Sequence, residues 1–189
     1  MDGGRIVFPY SYVSYEILDN GPLRFTVSLT YETKEFQGDQ LTEHRLLSLD
    51  KGSNFNRQTV WYEGATQPLD ITSGVVIHQE DTLSAELGTN YVLYADPTDN
   101  PSAQNFQIYV GVIFPYDQVE TLCIPYDGAA NGIASHALVV RSSVEPGEKV
   151  TYYWGSAWSK NDCRTFSEWM LRANNFNQQV LTPLLVDIE

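Results

Sequence analysis
The stretch Pro22–Tyr31, "PLRFTVSLTY", alternates without a break: Leu23, Phe25, Val27, Leu29 and Tyr31 fall on one side, Arg24, Thr26, Ser28 and Thr30 on the other. Side chains of a β-strand point to opposite faces with period two, so ten residues of strict alternation specify a strand with one covered face. The preceding run "YVSYEIL" reaches it through "DNGP", and Asn-Gly is a strong hairpin cue. Further strands are expected in "QLTEHRLLSL", "NRQTVWYE", "ITSGVVIHQ", "TNYVLYA", "FQIYVGVIF", "VETLCIPY", "SHALVVRSS" and "KVTYYWGSAW", divided by turn clusters such as "DKGSN", "DPTDNP" and "PYDGAANG". About ten strands at this spacing predict an all-β fold, a large antiparallel β-sandwich.

One segment departs from period two. In "TFSEWMLRANNFNQQV" the apolar residues Phe166, Trp169, Met170, Phe176 and Val180 share one helical face. Thr165 with Glu168 forms a capping box, Pro183 stops the helix, and "PLLVDI" reads as a final strand. Trp169 and Phe176 are expected to fasten this helix to the sheet. Residues 1–189 read as a single β-sandwich domain.

Charge narrows the partners. Acidic residues outnumber basic ones 24 to 11, a net charge of −13. Phosphate backbones require clustered Lys and Arg, so no nucleic-acid partner is expected. No run approaches the roughly 20 apolar residues of a membrane span, so membrane insertion is not expected either. Cys123 and Cys163 lack metal-ligand spacing and are expected to be buried free thiols. The loop carboxylates Asp96, Asp99, Asp117 and Asp127 do not have calcium-loop spacing; neither a metal nor another cofactor is expected.

The segment "TYYWGSAWSKNDCRTFSEWM" concentrates large rings. Trp154 and Trp158 flank Gly155-Ser156-Ala157 at a strand end, where rings with polar tips suit a partly wet ligand site. Lys160 follows directly. Proton transfer on a sugar ring needs an acid and a base, and His136 and His78, each near a strand end, are the candidate catalytic residues. His44 is the third histidine, on the face opposite Glu43 and Arg45. Arg24 on the polar side of its strand suits a carboxylate, or an ion pair with Glu16 or Glu43. Arg57 and Trp61 share a strand face and form a candidate binding pair, with Tyr62 opposite.

The ending "YYWGSAWSK", the helix carrying "SEWM", and "PLLVDIE" resemble the C-terminal part of domain-of-unknown-function family 4861. Upstream, "ILDNGPLRFTVSLTYE", "RLLSLDKGSNFNRQTVWYEG", "SGVVIHQE" and "SHALVV" follow that family's order. The resemblance implies polysaccharide-utilisation gene clusters and a galactose-mutarotase-like or polysaccharide-lyase-like supersandwich, of which this chain is the C-terminal part or a shortened member. It implies a periplasmic or secreted precursor and an oligosaccharide partner. The function expected is carbohydrate-active: acting on or recognising acidic oligosaccharides by acid/base chemistry, as a glycan lyase, hydrolase or epimerase. The alternatives are a non-catalytic carbohydrate-binding sandwich and a structural domain that packs on a missing N-terminal half.

Overall fold
The alternating segments pair into two antiparallel sheets in the computed structural model, which describes residues 5–78, 85–96, 106–125 and 133–183. The strands are β1 (Tyr12–Asn20), β2 (Arg24–Tyr31), β3 (Lys34–Phe36), β4 (Asp39–Asp50), β5 (Phe55–Glu63), β6 (Leu69–His78), β7 (Ala85–Leu87), β8 (Tyr91–Asp96), β9 (Ile108–Ile113), β10 (Glu120–Pro125), β11 (Ile133–Val144) and β12 (Val150–Trp158). The larger sheet runs β1-β2-β4-β5-β12-β9-β8-β7, with β3 attached to β4. The smaller runs β10-β11-β6. The fold is an all-β sandwich.

The "DNGP" hairpin forms: Ile17 pairs with Val27 and Tyr15 with Leu29, while Gly21 donates to the Arg24 carbonyl at 3.1 Å. The short strands β3 and β7 carry no legible alternation of their own; β3 is held by β4 and β7 by β8. The final strand expected in "PLLVDI" lies outside the described residues.

Two cores divide the large sheet. The inner face packs against the small sheet: Val60, Val92, Tyr94, Val112, Phe114, Val150 and Tyr152 meet Ile71, Val75, Ile77, Ala137 and Val139. The outer face packs against α1 (Phe166–Leu181): Phe55, Leu93, Tyr109, Ile113 and Ala157 surround Trp169 and Ala173. Thr165 caps the helix by accepting from the Glu168 amide at 3.2 Å. The Glu168 carboxylate turns back to accept from the Arg164 amide at 2.7 Å, one residue earlier than a standard capping box. Trp169 is 0% exposed, stacks on Phe55 with ring centres 5.0 Å apart and donates its indole N–H to the Val110 carbonyl at 3.2 Å. Both cysteines are free thiols; Cys163 is buried as expected, whereas Cys123 is exposed, because β10 is the edge strand of the small sheet.

Neither the small sheet nor the helix spans the whole large sheet. Around β2, β4 and β5 both faces of the large sheet carry open grooves, and these are where a ligand can reach side chains.

Candidate functional site
Strand parity sorts the ligand-handling side chains onto the two faces. On the outer face, Arg24 lies beside Asp50, Ser48 beside Arg57, and Arg57 in turn beside Tyr153. Two rows further, past Leu46 and Thr59, His44 lies beside Trp61, with Thr30 on the other side of the histidine. This part of the outer face is polar because β2 places Thr26, Ser28 and Thr30 here, the residues complementary to its apolar stripe.

A groove of about 430 Å³ opens on this face between the strands and the C-terminal half of α1, lined by Arg24, Ser48, Asp50, Arg57, Tyr153, Phe176 and Gln179. Arg24 is locked: its Nε and a second guanidinium N–H donate to the two carboxylate oxygens of Asp50. The hydrogen bond from Arg24 holds the Asp50 carboxyl below its ordinary range, and the same bond raises Arg24. Arg57 is exposed and makes no ion pair or hydrogen bond among the described residues. Tyr153 borders it, its ring set edge-on to Phe176 at 5.1 Å. The groove continues along α1 past Lys51 to Arg172, which is tied to Asn54 and Asp162.

Trp61 lies on the same face, beyond the residues that line the groove. Its ring stacks on His44 at 5.1 Å with planes 11° apart, and Lys149 Nζ stands 4.3 Å from its centroid. His44 Nδ1 lies 3.3 Å from the Thr30 hydroxyl. His44 Nε2 is 3.4 Å from Glu63 Oε2, yet that approach lacks hydrogen-bond geometry and leaves the buried nitrogen unsatisfied.

The inner face differs in kind. There a cleft of about 610 Å³ runs between β6 and the large sheet, with Tyr31, Arg45, Leu47, Gln58, Tyr152 and Trp154 in its lining. Its polar groups are spent on one another. Arg45 donates to Glu43, and Tyr62 donates to the other oxygen of Glu43 at 2.8 Å. Gln58 donates to Tyr152 and accepts from the Trp154 indole at 3.1 Å. Burial raises the Tyr62 and Tyr152 hydroxyls well above their ordinary pKa, so both remain neutral donors.

The residues expected in one site therefore separate. Arg24 and Arg57 line one groove on the outer face, whereas Trp61 and His44 lie on the same face outside its lining. Arg24 takes Asp50 as its partner, not Glu16 or Glu43, because Asp50 is its direct cross-strand neighbour. Trp154 sits in mid-strand on the inner face, not at a strand end, opposite Asn56 and Val112. Trp158 ends β12 on that same inner face beside Ile108, and Lys160 Nζ lies 4.6 Å from the Phe106 ring just beyond it. His78 ends β6 and approaches Asp96 at 3.5 Å. His136 pairs with Ile124 and Val76 on the side of the small sheet opposite Ala137 and Val139, so it faces away from the sandwich core and from Trp158. The structure does not bring His136, His78 and Trp158 into one pocket.

Tyr153, Ser48 and the helix residue Gln179 were not singled out from the sequence. Parity with Arg57 marks Ser48 and Tyr153 once strand pairing is known. Gln179 has no sequence signal, since its place depends on helix docking. Among the described residues no three His, Cys, Asp or Glu side chains are grouped to hold a metal ion, and no helix is long and apolar enough to cross a membrane.

Comparison with known proteins fits the whole-chain pattern. "Uncharacterized protein P7" of Formosa agariphila is 22% identical over 181 residues, covering 95% of this chain and 43% of that protein. The chain thus spans less than half the length of this curated relative. Residues 1–186 match the family described as Domain of unknown function (DUF4861), and the chain belongs to that family.

Proposed function
We propose that the outer groove binds an acidic saccharide, with Arg57 as the residue that takes its carboxylate or sulfate. The observation that carries this reading is Arg57 itself: an exposed guanidinium, without a partner among the described residues, at the centre of a groove. A planar five-donor fork matches a carboxylate or sulfate, and Arg57 need not first give up an existing ion pair. Tyr153 presents a ring face and a hydroxyl beside it, suited to the mixed apolar and hydroxylated faces of a pyranose. Arg24, pinned by Asp50, adds charge at a fixed place.

The surroundings strengthen the argument. In a chain with 11 basic and 24 acidic residues, Arg24, Lys51, Arg57, Lys149 and Arg172 all lie on or beside this face. Asp50 and Asp162 pair with Arg24 and Arg172, so the charge offered to an anion rests chiefly on Arg57. The saccharide class follows from the resemblance to polysaccharide-utilisation proteins. Binding is the reading proposed; His136 and His78 lie elsewhere and are not assigned to the groove.

Isothermal titration with uronate oligosaccharides and their neutral, carboxyl-reduced counterparts tests this directly. Binding of the acidic series, at least tenfold weaker in Arg57→Ala and unaltered in Trp154→Ala, is expected. Equal affinity for both series, or an Arg57→Ala protein that binds like the parent, would remove Arg57 from the site.

A further inference from the structure
The inner face of the large sheet is built for burial, yet half of it is bare. Tyr15 is 65% exposed, Ile17 50%, Phe25 41% and Leu49 41%, although all four lie on the face that forms the main core further along the sheet. An apolar stripe repeated on three adjacent strands is the pattern of a sheet face packed against a second layer. The polar groups beside it, Arg45–Glu43–Tyr62 and Trp154–Gln58–Tyr152, are already satisfied internally, as groups under a covering layer must be.

The second observation is an edge. β6 pairs with β11 on one side and with no strand on the other among the described residues. Its unpaired side borders the 610 Å³ cleft above the bare face. A ten-residue strand with one side unpaired among the described residues, beside exposed apolar surface, is a template for strand addition.

We infer that a further β-layer adds to β6 and closes over β1, β2 and β4. Its source is the family's own polypeptide, corresponding to the part of protein P7 that this chain does not span. The covered share of P7, 43%, leaves more than half of that protein to supply the strands. The added strands carry apolar residues at every second position toward Tyr15, Ile17 and Phe25, and the first of them pairs with β6. The groove around Arg57 lies on the opposite face and stays open, so this layer and the ligand do not compete.

Hydrogen exchange and binding of the apolar dye ANS, measured on this 189-residue chain and on whole P7, test the inference. The 189-residue chain is expected to run as a monomer, to bind the dye, and to exchange β1 and β6 amides rapidly. In P7 the aligned strands are expected to exchange at least about 100-fold more slowly, with little dye bound. The inference is overturned if the aligned strands of P7 are as open as those of this chain. It is overturned equally if this chain, as a monomer, binds no dye and protects β6. A concentration-dependent dimer that protects β6 would instead assign the face to a second copy.

Discussion

Replacing Trp169 by alanine removes the side chain on which the helix-to-sheet packing turns. Trp169 is 0% exposed, lies against Phe55, and reaches the Val110 carbonyl through its indole N–H. Gly111, beside the indole, offers no side chain to refill the space. Truncating a buried Trp to Ala costs about 3–5 kcal/mol when the site cannot collapse, and the lost hydrogen bond adds about 1 kcal/mol. A total of about 4–6 kcal/mol is a large share of the 5–15 kcal/mol that typically holds a domain together. With a urea slope of about 2 kcal/mol/M, the unfolding midpoint should fall by about 2–3 M. The thermal midpoint should drop by about 10 °C or more. Equilibrium unfolding followed by tryptophan fluorescence and far-UV circular dichroism gives both numbers. A midpoint lowered by under about 0.5 M, with the slope unchanged, would show that α1 does not depend on this contact and that the outer-face core is wrongly drawn.

Other perturbations separate the two faces. Arg57→Lys should keep part of the affinity for acidic saccharides, since charge survives while the two-pronged geometry is lost; calorimetry on both variants ranks them. Binding by the parent should weaken as salt rises from 50 to 500 mM, read by the same titration. Glu43→Ala leaves Arg45 half-buried beneath Tyr31 without its carboxylate and should destabilise by at least about 2 kcal/mol in chemical denaturation. Burial lowers the pKa of His136, so the folded state favours its neutral form; the stability this gives is present above the ordinary histidine pKa and is lost as pH falls through the depressed folded value. This contribution should therefore shrink as pH falls below the ordinary histidine value of 6.5, and His136→Asn should flatten that part of the stability profile.

Alternation carried most of the fold. The stripe Leu23 to Tyr31 fixed the parity of β2, and the same reasoning placed Glu43 and Arg45 opposite His44, as the paired strands show. The helix was legible from its spacing and its Thr165 cap. What parity could not supply was which face of the sheet each layer covers. That depends on where β6, β10 and β11 dock, a matter of contacts between residues far apart in sequence. Trp154 illustrates the gap. Its neighbours Gly155 and Ser156 look like a strand end, but β5 pairs on one side through Gly155 and β9 on the other keeps β12 extended through Trp158. His136 follows a glycine-rich turn that suggests a rim, yet its pairing partner Val76 sets it on the outside of the small sheet. That Arg57 and Trp61 share a face was readable because they share one strand; Tyr153 became the neighbour of Arg57 only through pairing 96 positions away in sequence.

Backbone and side-chain NMR during titration with a uronate oligosaccharide locates the ligand most directly. Perturbations concentrated at Ser48, Arg57, Tyr153 and Gln179, and lost in Arg57→Ala, are the predicted outcome. Perturbations centred instead on Tyr31, Arg45 and Trp154 would place the ligand on the inner face and contradict the assignment of the open polar face to recognition.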